Sequence, residues 1–520
     1  MNWDQPYPAP RSPVCASNMV ATSQPLATQA GVEALRRGGN AVDAVLAAAI
    51  TLTVVEPNNN GLGSDAFAIL WDGEGLVGLN ASGRAPEQMT ADRYAGRQSM
   101  PTLGWDAVTV PGAVSAWVEL SGRYGRLPFA DLFEAAIGYA REGFQVGPKS
   151  AYYWQLAETS YAEFPDFAEH FLPAPGPGER FLRPDLAASL EQIAATGGAA
   201  FYEGELAAAM ANASEAAGGP LRLTDLAGHR ADWVTPIEQP YGQVALHEIP
   251  PNGQGLAAQI ALALLAEGGP ARFDTVDGVH RQIECMKIAI RAAFDHFADP
   301  AAMRLAPAEL LESGSISQAA ASIGERAADL PPVALPVGHD TVYLCAADAD
   351  GRMISFIQSN FLGFGSGIVI PGTGIAMQNR GMGFSLDPGH PNCVGPGKRP
   401  FHTIIPGFVT EAGRPRLAFG VMGGHMQHQG HFQMVQRIFD HRENPQAASD
   451  APRWHVFPDF TVGLEPGFPE AVARGLAERG HQVRYVEQEH VFGGAQLILN
   501  TEHGYVAGSD HRKEGQAAGF

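Results

Sequence analysis

Basic residues are scarce in this sequence: 34 Lys and Arg stand against 55 Asp and Glu, a formal net charge of −21 over 520 residues. A surface that tracks phosphates needs clustered Lys and Arg, so nucleic acids and anionic membranes are excluded as partners. Cysteine is rarer still. Cys15, Cys285, Cys345 and Cys393 lie far apart with no CxxC pair, which fits free thiols in a reducing compartment rather than a disulfide framework. No apolar run is long enough to span a bilayer. The first residues, MNWDQPYPAPRSP, lack the basic and apolar regions of a signal peptide. The expected location is therefore the cytoplasm.

Several catalytic motifs are also missing. There is no G-x-S-x-G elbow, no Walker loop and no H-E-x-x-H. His425, His428 and His431 fall at i, i+3 and i+6, but no Cys or carboxylate accompanies them at a matching spacing. They read as a polar helix start, and neither metal nor cofactor is expected.

What is present is a large turn-rich globular chain. It is 45% hydrophobic, and its 61 Gly and 39 Pro are spread along its length, enough for one big or two ordinary domains. Residues 19–55 carry helical spacing in two pieces around a Gly38-Gly39-Asn40 break. Phe67–Trp71 and Leu76–Leu79 read as a hairpin. Residues 128–143, 182–215, 255–299, 427–440 and 468–479 read as mostly helical. Residues 303–335 are weaker, and the stretch ending LPPVALPVGHD predicts an extended connection. The character changes after His339-Asp340. Thr341–Asp348 and Met353–Ser359 flank an Asp350-Gly351 turn, a second hairpin. Further strands are expected at Gly367–Ile370, Arg416–Phe419 and Gln496–Asn500.

The junction His339-Asp340-Thr341 allows two readings. A Thr heading a strand is chemically ordinary, because threonine favours strands. Alternatively the bond before Thr341 is cut, and Thr341 gains a free α-amine beside its own hydroxyl. Such an amine titrates near pKa ~7.7–8.0 and can take the hydroxyl proton near neutral pH, so one residue supplies nucleophile and base. Spacing alone leaves both open.

The ordered motifs decide between them by resemblance. MVATSQPLATQAGVEALRRGGNAVDA at 19–44, VVEPNNNGLGSDAF at 54–67, VPGAV at 110–114 and PPNGQG at 250–255 come first. DTVYLCAADADG at 340–351, FGSGIVIPGTGI at 364–375, PGKRPFHTIIP at 396–406, GVMGGHMQHQG at 420–430, DAPRW at 450–454 and GSDHRKEGQAAG at 508–519 follow. Over nearly its whole length the chain resembles the γ-glutamyltransferase family of N-terminal-nucleophile hydrolases, in a subgroup that looks like the oxamate amidohydrolases.

The resemblance implies an α/β (α+β) fold, a four-layer αββα sandwich. It implies a precursor cut between Asp340 and Thr341 into a large piece, 1–340, and a small piece, 341–520, which stay together as one unit. It also implies acyl transfer without cofactor: Thr341 attacks a small-molecule amide, and water or an amine resolves the acyl-enzyme. By the same match Ser359 supports the nucleophile, and the N–H groups of Gly423 and Gly424 form the oxyanion hole, where glycine lets the backbone come close. A homo-oligomer is left open.

The substrate pocket departs from the family pattern. The acids that greet a substrate ammonium, in a segment resembling NNEMDDF, are replaced by Gln378-Asn379-Arg380-Gly381-Met382-Gly383-Phe384. The family's Ser-Ser pair is His402-Thr403 here. An Asn expected two places after the second hydroxyl residue is Phe361, with Asn360 next door. Arg84 lies near the place of a carboxylate-binding Arg but out of register. Ammonium binding needs acids when desolvated, whereas Arg84, Arg380, Asn360, His402 and Thr403 suit a carboxylate without an adjacent ammonium. Arg380 read the other way pairs with a local acid such as Asp387. The expected activity is an amidohydrolase for a small, oxamate-like acid. The alternatives are a true glutathione hydrolase and γ-glutamyltransferase, and an uncleaved, non-catalytic binding relative.

Overall fold

The computed structural model describes residues 11–334 and 340–520, with Asp340 described through its backbone alone. The reading of the N-terminus falls on residues 1–10, and that of the connection before Thr341 falls partly on 335–339; both lie outside the described residues.

Two seven-stranded antiparallel sheets form the middle of the molecule. One runs Gln516–Gly519, Met19–Thr22, Asp340–Ala347, Met353–Phe361, Asp65–Trp71, Leu76–Asn80, Asp232–Val234. The other runs Val14–Ala16, Gly504–Ser509, Gly494–Thr501, Arg414–Met422, Gly407–Glu411, Val244–Glu248, Ile237–Tyr241.

Strand alternation divides the core. Val342, Leu344 and Ala346 point to a helical layer that includes Val42, Val45, Leu46 and Ile50 of the helix Ala41–Val55. Tyr343, Cys345 and Ala347 point the other way, into the space between the sheets, where they meet Phe408, Ala418, Met422 and Ile498. On the far side of the second sheet, Leu417, Phe419 and Val421 pack against the helices Gly255–Glu267, Val276–His296 and Met426–Phe439. The layers are therefore α, β, β, α, as the resemblance implies. Because both sheets are covered on both faces, their strands are apolar nearly throughout and hide the alternation. The helix Ala41–Val55 is buried on every side, which explains its apolar circumference.

The elements follow the sequence with local differences. Met19–Thr22 is a strand, not the start of a helix; the helices begin at Pro25 and Ala41, the second capped by Asn40 and Asp43. Residues 303–334 contain two short helices, Pro307–Leu310 and Ser313–Ala321, before an irregular stretch. Among the described residues no helix is long and apolar enough to cross a membrane.

One topological fact bears on the site. The first sheet draws Met19–Thr22 and Asp65–Trp71 from the chain before residue 340 and interleaves them with Asp340–Ala347, Met353–Phe361 and Gln516–Gly519. The two parts of the chain share one sheet and cannot separate without breaking its ladders.

Candidate active site

Thr341 is the second residue of the strand Asp340–Ala347 and is buried. The pairing with Met353–Phe361 shifts register there: Asp340 faces Phe361, but Val342 faces Gln358. Ser359 and Asn360 thus share the place opposite Thr341, a bulge of the kind that re-aims side chains. The Thr341 hydroxyl lies 3.2 Å from Ser359 Oγ, which in turn accepts a bond from Phe361 N at 2.8 Å. Phe361 itself has φ +84°, a left-handed backbone that costs a side-chain-bearing residue about 1–3 kcal/mol.

Gly423 and Gly424 join the strand Arg414–Met422 to the helix Met426–Phe439, with φ of +120° and +57°. A Cβ on Gly423 would stand 2.9 Å from Gly493 Cα, so the chain needs glycine there. Their carbonyls accept from Met426 N and from Gln254 Nε2. Among the described residues no hydrogen bond uses their N–H groups, which lie at a helix N-terminus, where partial positive charge gathers.

Arg380 follows Asn379 in a single 3₁₀ turn and is 1% exposed. Nη1 donates to Thr403 Oγ1 at 2.8 Å, and the guanidinium lies 4.6 Å over the Phe361 ring. Its Nε and Nη2 are buried without a hydrogen-bond partner among the described residues. Among the described residues it makes no ion pair, and Asp387 accepts from Gly389 N instead. Burial pulls its pKa down to about 9, partly offset by Asp65, so it is a cation at neutral pH. Thr403, accepting from Arg380, keeps its own hydroxyl hydrogen to give. Asn360 Oδ1 accepts from Ser64 Oγ at 2.8 Å, while its Nδ2 is buried without a partner among the described residues. The buried donors of this region that no acceptor among the described residues takes up are thus those of Arg380, Thr403 and Asn360.

His402 and Arg84 are placed differently from the sequence expectation. Burial holds the His402 ring well below its ordinary pKa, helped by Arg380 and Arg399. The neutral ring accepts at Nδ1 from Ile404 N and gives Nε2–H to Asp65 Oδ2 at 3.1 Å, so no ring nitrogen is left for a substrate. Arg84 is about 43% exposed and is held by Asp232, Asp299 and the Gly397 carbonyl at 3.2–3.4 Å. None of these contacts joins it to Thr341, Arg380 or Thr403. Half-exposed ion pairs contribute about 0–1 kcal/mol. We expect Arg84→Ala to change kcat/KM less than about threefold and to lower the Tm by no more than a few degrees. A loss of tenfold or more would return Arg84 to the site.

Two residues of the quoted motifs carry contacts that their positions did not announce. Asp65, at the head of an apolar strand, is fully buried; Oδ1 accepts from Gly83 N and Gly112 N at 3.0 and 3.1 Å. Burial pushes its carboxyl up to about 7 against the pull of Arg380 and these N–H groups. Gln254, in PPNGQG, is also fully buried and bonds to Thr403 and Gly424. An acid at the head of an apolar strand was the available signal for Asp65, and its place in the PPNGQG motif the signal for Gln254; the partners were not legible.

A cavity of about 420 Å³ adjoins this region. Met382 and Phe384, beyond Arg380, and Phe401, before His402, line it with Leu362, Phe294 and Phe297. Two histidine groups elsewhere have internal partners. His428 and His431 contact Gln254 and Glu248 at 2.8 and 2.6 Å. His280, Glu284 and His481 cluster closely enough to bind a metal, but Lys287 Nζ already stands 2.9 Å from Glu284 Oε1.

With this geometry in place, comparison with known proteins is direct. The γ-glutamyltranspeptidase family model matches residues 27–520. The chain belongs to this family. A glutathione hydrolase-like proenzyme of Bacillus subtilis is 35% identical across 98% of this chain and 100% of its own length. An oxamate amidohydrolase proenzyme of Klebsiella pneumoniae is 35% identical across 98% and 99%. The crystal structure of a cephalosporin acylase from Bacillus halodurans superposes with a TM-score of 0.96 at 45% identity, covering 100% of this chain and 99% of that one. This γ-glutamyltranspeptidase-family member is thus an enzyme of amidohydrolase type. Its relatives carry names with different acyl groups, so family membership does not choose the substrate.

Proposed function

We propose that this chain is a self-processing amidohydrolase whose acyl donor carries a carboxylate with no ammonium beside it. In this reading the bond between Asp340 and Thr341 is cut, giving pieces 1–340 and 341–520 held together by their shared sheet. Thr341 Oγ attacks the amide carbonyl while its α-amine takes the proton. Gly423 and Gly424 N–H groups receive the oxyanion, and the amine leaves with the returned proton. Water then resolves the ester by the same steps. Ser359, 3.2 Å from Thr341 Oγ, orients the hydroxyl.

The observation that carries the substrate reading is Arg380. A buried guanidinium with Nε and Nη2 unpaired is costly as it stands, and a substrate carboxylate is the partner that would satisfy it in a bidentate manner. A γ-glutamyl ammonium would instead meet this cation. The name of the oxamate amidohydrolase among the relatives agrees with an acyl group of this kind.

The test compares γ-glutamyl and glutaryl anilides, which differ by that ammonium alone, together with oxamate. We expect kcat/KM to favour glutaryl or oxamate at least 100-fold, since each unpaired or repelled charge costs about 2–5 kcal/mol. Preference for γ-glutamyl anilide or glutathione would overturn this reading in favour of a true glutathione hydrolase. A denaturing gel tests the processing separately: a single full-length band, with no turnover of any of these amides, would point to a non-catalytic relative.

A further inference from the structure

Resting on that reading, we infer that Gln254 is a positioning residue that ties the oxyanion glycines to the carboxylate-reading segment. Its backbone is fixed first: Gln254 N donates to His402 O at 3.0 Å, and His402 N donates back to Asn252 O at 2.9 Å. The side chain then spans three segments. Nε2 faces two carbonyl oxygens, Thr403 O and Gly424 O, at 2.5 and 2.8 Å. Only an amide nitrogen, with two hydrogens, can satisfy both, so the amide orientation follows from its neighbours. Oε1 is left to accept from His428 Nδ1 at 2.8 Å.

Each partner leads to a different part of the site. Gly424 is one of the two glycines in the turn before the helix Met426–Phe439 whose N–H groups make no hydrogen bond among the described residues. Thr403 Oγ1 receives Arg380 Nη1. His428 sits in the first turn of that helix and is buried, 2% exposed. Burial and three neighbouring histidines hold its ring neutral, so Nδ1–H donates to Gln254 and Nε2 is a bare acceptor. Every hydrogen-bonding capacity of the Gln254 amide group that this pocket can use is filled, and the side chain is fully buried. A loose amide would release two buried carbonyls together, those of Thr403 and Gly424. Misplacement by about 1 Å can cost 10²-fold in rate.

The two arms give distinguishable kinetics. Gln254→Met keeps the length and loses both donors. Kinetics are read per burst-titrated active site, so unprocessed chains are not counted. On a p-nitrophenyl butyrate ester, which has no acyl carboxylate, kcat is expected to fall 10- to 100-fold with KM within about threefold, as only the oxyanion arm is read. On the glutaryl ester KM is expected to rise at least fivefold in addition, as Thr403 and Arg380 lose their brace. His428→Leu, which removes only the Oε1 donor, should give the same pattern at smaller amplitude, and it stands in if Gln254→Met fails to process. A variant with lower Tm but unchanged kcat and KM on both esters would leave Gln254 structural and overturn the inference. Failure of the substrate reading alone looks different: the wild-type protein would then show no preference between glutaryl and γ-glutamyl donors, whatever Gln254 does.

Discussion

Thr341→Ala is expected to run as a single 55.0 kDa chain on a denaturing gel and to hydrolyse no amide detectably. The wild-type protein should give two bands, of about two-thirds and one-third of that mass. The reason lies in what one side chain supplies. In the proposed mechanism its hydroxyl attacks the preceding carbonyl during processing and the freed α-amine is the base afterwards, so removing the hydroxyl would remove both events. Loss of a nucleophile in hydrolases costs up to about 10⁶ in kcat. The fold should persist, because the substitution deletes one hydroxyl and one methyl at the end of a strand that is otherwise held by Val342, Leu344 and Ala346 in the core. A Tm within a few degrees of the wild-type protein would confirm that. Thr341→Ser keeps the hydroxyl and should process and turn over at reduced rate. Cleavage at the same bond in Thr341→Ala, or retained turnover, would remove Thr341 from the mechanism.

How much of this was legible in the sequence depended on range. The hairpin around Asp350-Gly351 was readable because a turn with Gly351 at φ +90° has a local signature. The strand at Thr341 was readable for the same reason. Met19–Thr22 was not, because what makes it a strand is its pairing with Leu344–Ala347 and with Gln516–Gly519, far along the chain. The same limit governs the site. Arg84 and Arg380 are equivalent cations on paper. Burial separates them: one meets Asp232 and Asp299 near the surface, and the other lies under Phe361 and makes no ion pair among the described residues. His402 stands at a binding position by motif, yet its ring is spent on Asp65, 337 positions away in the chain. Motifs gave the neighbourhood, and long-range contacts assigned the tasks within it.

Arg380→Leu should reverse the substrate preference and stabilise the empty enzyme. For glutaryl anilide, kcat/KM is expected to fall about 100-fold or more, since a charge-assisted bond to a buried guanidinium is worth about 1.5–3 kcal/mol and two are lost. For the matching butyryl anilide, which has no carboxylate, the rate should hold or rise. The stability change follows from the unpaired Nε and Nη2: replacing even a buried ion pair with apolar side chains is often neutral or stabilising by about 1–4 kcal/mol, and here two buried donors start without an acceptor among the described residues. That gain must depend on pH through Asp65. Its folded pKa, about 7, lies above the unfolded value of ~3.9, so the folded state binds the proton more tightly and its contribution to stability is lost as pH rises through 7. Below that range Asp65 is neutral and Arg380 has no counter-charge, so Leu gains most. Above it the ionised carboxylate draws on Arg380, and Leu would leave it alone with His402 and two backbone N–H groups. The Tm difference between variant and wild type should therefore be positive near pH 5 and shrink as pH climbs past 7. A Tm that falls at every pH, with glutaryl turnover intact, would mean that Arg380 is a structural cation and that the acyl carboxylate is read elsewhere.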